Sequence, residues 1–141
     1  MVETSSPQPR IYDEEDFRRL LAWEVQRATR YQDFLSLCLM QPEPPGAAGG
    51  GILDAMARRV VELLRATDIV ALLGSRIAIM LVHTPDSDAR IITERVRGML
   101  ESATSVLSLG LASFPMDATD ERVLLDQAEA RLSTARRRID A

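Results

Sequence analysis

Apolar positions along this chain switch between helical and strand-like spacing, and each switch marks an element. Phe17, Leu20, Leu21, Val25 and Ala28 recur at three- to four-residue intervals behind the acidic run Asp13–Asp16, which suits the positive end of a helix dipole. The spacing predicts a helix over residues 14–30. Trp23 lies off that stripe, either covering the edge of the core or facing a partner. The uncharged run 34–40 predicts a strand, and the Pro- and Gly-punctuated stretch from Gln41 to Gly51 a loop. Ile52, Met56, Val60, Leu63 and Leu64 then define the inward face of a helix over 52–66. Two short apolar runs follow, Ile69–Leu73 and Ile77–Val82, joined by Gly74-Ser75, where Gly supplies the positive φ of a tight hairpin turn. Thr84 with Pro85 reads as the cap and first residue of a helix through Ala89, Ile92, Val96 and Met99 to about residue 101. A strand over 105–114 and a helix capped by Thr119, running through Leu124, Ala128, Leu132 and Ala135, complete the series.

The order is helix, strand, helix, hairpin, helix, strand, helix. It predicts one α+β or mixed α/β domain over residues 13–141, a sheet layered with helices, behind a flexible tail of residues 1–12. At 141 residues such a domain can bury a real core. No apolar run reaches the ~20 residues of a membrane span. The polar start has no secretory pattern, so a cytoplasmic setting is expected. The single cysteine, Cys38, sits in the apolar run and reads as an inert buried thiol. A net charge of −4 argues against nucleic-acid binding, which wants a basic face. All 17 basic residues are Arg, and Asn is absent too. Codon bias explains both, so an Arg in place of a Lys carries little meaning. His83, the one histidine, has no Cys, Ser or His motif beside it and reads as structural.

The residues around the hairpin resemble the signature region of GGDEF domains, the diguanylate cyclases. Arg65-Ala66-Thr67-Asp68 resembles that family's Arg-x-x-Asp tetrad, five residues before the turn. Arg27-Ala28-Thr29-Arg30-Tyr31 is similar to the end of its opening helix, Leu35–Met40 to its first core strand, and Ala57–Val60 with Leu63–Arg65 to the helix before the tetrad. Ser108-Leu109-Gly110-Leu111-Ala112-Ser113-Phe114-Pro115 is similar to its Ser-Ile-Gly-Val-Ala-Ser-Tyr-Pro strand, and Leu125–Ala128 to the start of its last helix. The resemblance covers about residues 17–136. It implies the nucleotidyl-cyclase form of the ferredoxin-like sandwich, a mostly antiparallel sheet flanked by helices.

The resemblance also implies which residues the chemistry would need. Cyclising GTP requires divalent cations held by carboxylates. The family's first metal Asp aligns with Gln41, and its acidic turn pair with Ser75 and Arg76. The segment that holds guanine is shortened, Ser133 stands at a frequent Tyr, and Arg136 at a phosphate-binding Lys. Glu43 is nearby, but alone it makes a poor two-metal site. The expectation is a non-enzymatic regulatory module without a metal or cofactor. Its expected partners are a regulatory protein, contacted through Trp23, and cyclic di-GMP, held by Arg65, Asp68 and Arg95 in the manner of the family's inhibitory site. Arg95 enters because Glu94-Arg95-Val96-Arg97 resembles the family's Glu-Arg-x-Arg segment. A guanidinium can fork onto guanine O6 and N7, and a carboxylate can accept from its N1–H and amino group. Arg65 and Asp68 read equally as a helix-end ion pair. A ligand-free scaffold, a homodimerisation domain and a residual nucleotide-using enzyme remain as alternatives.

Overall fold

The computed structural model describes residues 10–43, 51–101 and 106–140, with side chains through residue 138. Among them the elements run β1 (Ile11–Tyr12), α1 (Glu14–Tyr31), β2 (Leu35–Glu43), α2 (Ile52–Leu63), β3 (Ile69–Leu73), β4 (Arg76–Val82), α3 (Asp86–Glu101), β5 (Val106–Phe114) and α4 (Glu121–Asp140). The strands form one sheet in the order β1-β3-β4-β2-β5, antiparallel except for the β1–β3 pair. Helices cover both faces. Phe17, Leu21, Val25 and Ala28 of α1 pack with Leu124, Leu125, Ala128 and Leu132 of α4 on Leu35, Leu37 and Leu39. Met56, Ala57 and Val60 of α2 and Ala89, Val96 and Leu100 of α3 pack on Cys38, Met40, Ile77 and Ile79. With both faces covered, β2 is buried at all nine positions, which is why its sequence is a continuous run rather than an alternation.

Several expectations change. Ile11 and Tyr12 pair in parallel with Val70 and Ala71, so the tail expected through residue 12 gives way to an edge strand there. Strand β2 does not stop at Met40: Gln41, Pro42 and Glu43 continue it opposite Ser108, Leu107 and Val106. Pro42 is tolerated because the β2–β4 ladder ends at Met40, and Leu107 opposite Pro42 directs its own N–H outward to Glu101. Helix α2 ends at Leu63, and Leu64 is already extended. Ile52 and Met99 are 46% and 45% exposed rather than inward. The cap of α4 is Asp120, whose carboxylate accepts from Val123 N–H at 2.9 Å, not Thr119. The expected tail residues 1–9, the loop over 44–50 and the strand's first residue, 105, lie outside the described residues.

Where α4 crosses β5, Gly110 allows the backbones to touch. An added Cβ would lie 2.2 Å from the Ala128 carbonyl oxygen and 2.5 Å from Leu132 N. Beneath α3, Ser36 donates to the Thr84 carbonyl at 2.8 Å and meets the Ser113 hydroxyl at 2.8 Å, which satisfies buried hydroxyls and ties three segments together.

Candidate functional site

Two places gather chemistry, one at the hairpin turn and one at the corner between α2 and β3. At the turn, Leu73 pairs with Arg76, and Gly74 adopts φ +63°. Ser75 is not in the positive-φ region, a pattern that fits a II′ hairpin. The neighbouring end of β2 points Gln41 and Glu43 toward the α1–α4 side. Gln41, 3% exposed, donates from Nε2 to Ser75 Oγ at 3.0 Å, while its Oε1 is buried without a hydrogen-bond partner. Ser108, opposite Gln41 in the ladder, likewise buries an unpaired hydroxyl. Arg76 donates to Glu129 of α4 at 2.8 Å. Arg136 Nε lies 2.8 Å from the buried Glu43 Oε2, an ion pair without hydrogen-bond alignment. One charge pair therefore ties the hairpin to α4, a second ties the end of β2 to α4, and a neutral amide–hydroxyl contact joins the turn to β2.

This donor set does not fit a pair of divalent cations. Mg²⁺ requires hard oxygen ligands, usually with carboxylates among them. The carboxylates here, Glu43 and Glu129, are each matched by a guanidinium. Among the described residues no three His, Cys, Asp or Glu side chains cluster to hold a metal, and residues 44–50 contain only Pro, Gly and Ala.

At the corner, the end of α2 turns at Arg65, where Asp68 N–H donates to the Arg65 carbonyl at 3.0 Å. Arg65 forks onto Asp68, Nε to Oδ2 at 3.2 Å and Nη2 to Oδ1 at 3.1 Å. Asp68 Oδ2 also accepts from Arg65 N–H at 3.1 Å, and Oδ1 from Val82 N–H at 3.3 Å. Arg65 Nη2 reaches on to the Val82 carbonyl and the Thr84 hydroxyl, both at 2.8 Å. Thr84 itself donates to the Val82 carbonyl at 2.7 Å, so its hydroxyl serves this junction instead of capping α3. The side chain of Asp68 is 2% exposed and that of Arg65 is 53% exposed. The pair clamps the β3 entry to the end of β4.

A groove of about 250 Å³ opens beside it, lined by Arg65, His83, Thr84, Asp88, Ile91 and Ile92. Arg95 lies one turn further along α3, exposed and outside that lining. The structure thus joins Arg65 to Asp68. Trp23 is 68% exposed on α1 and does not cover the core edge. Cys38 is fully buried, and burial pushes its thiol far up from the usual value. His83, with a left-handed backbone at φ 55°, pairs through Nδ1 with Asp33, which also accepts from Arg27 at 3.0 Å. Burial alone would raise the Asp33 carboxyl; the Phe34 N–H, Arg27 and His83 outweigh it and hold it below the ordinary range.

Solved structures share this arrangement of elements. The GGDEF domain of YfiN (TpbB) from Pseudomonas aeruginosa superposes with a TM-score of 0.80 at 23% identity, over 92% of each chain. The fold is that of a GGDEF domain. The diguanylate cyclase SiaD of Pseudomonas aeruginosa, solved with its activator SiaC, matches with a TM-score of 0.77 at 19% identity, over 94% of this chain and 57% of that one. The GGDEF domain of DgcB from Caulobacter crescentus, solved with c-di-GMP, gives 0.75 at 16% identity, over 97% and 91%. No family model matches the sequence, and neither does any curated relative. Identities this low carry the fold and not the chemistry.

Sequence spacing alone pairs Arg65 with Asp68. It misses Val82 and Thr84 as their partners, because a backbone carbonyl and N–H carry no sequence signal. It also misses Glu129, one acid among several on the polar face of α4.

Proposed function

We propose that this chain is a GGDEF-fold regulatory module that makes no cyclic dinucleotide and acts through protein contacts. The reading rests on the Gln41–Ser75 contact at 3.0 Å, flanked by the Glu43–Arg136 and Arg76–Glu129 pairs, where cyclase chemistry would need unpaired carboxylates. A triphosphate brings a large negative charge that only cations or free guanidiniums can neutralise. Here both guanidiniums are already matched by acids. That a GGDEF-fold cyclase has been solved with an activator protein supports a protein partner, and the exposed Trp23 is the contact we assign to it. The module works in solution as an adaptor within cyclic di-GMP signalling. The test is chemical: the protein is incubated with GTP and Mg²⁺ or Mn²⁺ and the products are separated by mass. No cyclic di-GMP is expected; turnover that disappears in Glu43→Gln would overturn the reading.

A second reading keeps cyclic di-GMP as a ligand of Arg65, Asp68 and Arg95, and one observation favours it: Arg65, whose side chain is 53% exposed, lines the groove of about 250 Å³ together with Thr84 and His83. Against it, both Asp68 oxygens already accept protein donors, so a guanine edge must compete with Val82 N–H and with Arg65 itself. Calorimetric titration decides between them. Heat that vanishes in both Arg65→Ala and Arg95→Ala establishes the receptor, and no heat at high micromolar ligand leaves the adaptor.

A further inference from the structure

Among the described residues the sheet ends on one side at β5, which pairs there only with β2. Its outward backbone groups can be read from what they touch. Leu107 N–H donates to Glu101 Oε2 at 2.9 Å, the Leu111 carbonyl accepts from Arg131 Nη1 at 2.7 Å, and Ser113 N–H donates to Asp117 Oδ2 at 2.8 Å. All three positions are odd, so by the alternation of an antiparallel ladder Leu109 between them also directs its N–H and C=O outward. Three charged side chains plug this edge, acids on the donors of Leu107 and Ser113 and a base on the acceptor of Leu111. Open backbone between them is a template for another strand.

We propose that β5 is a self-association edge, on which a second copy of this chain adds its own β5 antiparallel, with the twofold axis at Leu109. In that register Leu109 pairs with the partner's Leu109, and Leu111 pairs with the partner's Leu107. The Leu111 carbonyl then accepts from the partner's Leu107 N–H. These are the two groups that Arg131 and Glu101 cap in the monomer. Docking releases both plugs, and the symmetry brings each Arg131, which also forks onto its own Asp117 at 2.9 and 3.0 Å, against the partner's Glu101. Backbone bond replaces side-chain bond, and guanidinium meets carboxylate twice. Apolar surface agrees: Leu107, Leu109 and Leu111 project to the α3 side, Leu109 is half-buried, and a groove of about 310 Å³ lined by Arg90, Thr93, Glu94, Leu109, Leu111 and Arg131 leaves room there. Directly opposed Leu109 side chains would close that space. An isologous contact of this kind closes at two copies.

Sedimentation of the full chain from low to high micromolar concentration tests it. The wild type is expected to pass from monomer to dimer. Glu101→Arg and Arg131→Glu should each remain monomeric, because each sets like charges across the axis. An equimolar mixture of the two should recover the dimer, since the arginine introduced in one variant then meets the glutamate introduced in the other. Should Arg131→Glu lose its fold with the Asp117 contact, Leu109→Pro keeps the question decidable: it removes an N–H that β2 does not use, and a native circular-dichroism spectrum certifies the fold. A wild type that stays monomeric throughout, or a dimer untouched by Leu109→Pro in folded protein, overturns the proposal.

Discussion

Asp68 commits both carboxylate oxygens inside the protein, and that decides how a substitution there reads out. Asp68→Ala leaves Val82 N–H and the Arg65 fork without their acceptor. It should lower the unfolding free energy by about 1–3 kcal/mol, the usual cost of leaving a buried donor, here Val82 N–H, without its acceptor. Urea denaturation measures this with no ligand present. A change under a few tenths would mean that the clamp has no structural weight. Asp117 gives a pH-dependent counterpart. The Arg131 guanidinium holds its carboxyl below the ordinary value, burial opposes this, and the Ser113 N–H adds to the lowering. Its folded value lies below its unfolded one, so its contribution to stability is complete above about pH 4 and is lost as the pH falls through the native value. Melting temperature should drop as the pH falls below about 4, and drop less steeply in Asp117→Asn. An identical slope in the two proteins would remove Asp117 from the acid response.

At the scale of elements, the contact between α4 and β5 depends on one missing side chain. Gly110→Ala places a methyl 2.2 Å from the Ala128 carbonyl oxygen, and backbone cannot rotate away as a side chain can. Helix α4 must shift, and overpacking of this kind costs about 1–3 kcal/mol, here at the upper end. Thermal unfolding of the variant checks it; an unchanged midpoint would mean that α4 does not seat closely on β5. Most elements were legible in the chain because their apolar residues keep one period: Phe17 to Ala28 as a helix, Ile77 to Val82 as a strand. Ile11 and Tyr12 were not legible, since two residues make a strand only through their partner, β3. Nor was the passage of β2 through Pro42, because a proline reads as a break until its missing N–H is known to face no acceptor. Thr84-Pro85 showed that a helix begins nearby, but not that the hydroxyl would turn to Val82 and Arg65.

Across the whole molecule, the candidate site divides the same way. The neutral residues at positions 41 and 75 were visible as letters. The contacts around them were not, because Gln41 with Ser75, Arg76 with Glu129 and Glu43 with Arg136 meet only after the sheet and α4 assemble. Together these contacts make a turn that is internally neutral, on a fold whose solved examples include a diguanylate cyclase. The function proposed for the molecule would then be exercised through surfaces: Trp23 on α1, the groove beside Arg65, and the edge of β5. None of the described helices is long and apolar enough to cross a membrane.

The proposed lack of cyclase activity rests on Arg76 and Arg136 matching the carboxylates Glu129 and Glu43 around the hairpin turn. Mass-resolved product analysis of the purified chain with GTP and Mn²⁺ tests it most directly. The expected chromatogram contains unreacted GTP and no cyclic di-GMP, whereas product that accumulates with time and disappears in Glu43→Gln would contradict the account.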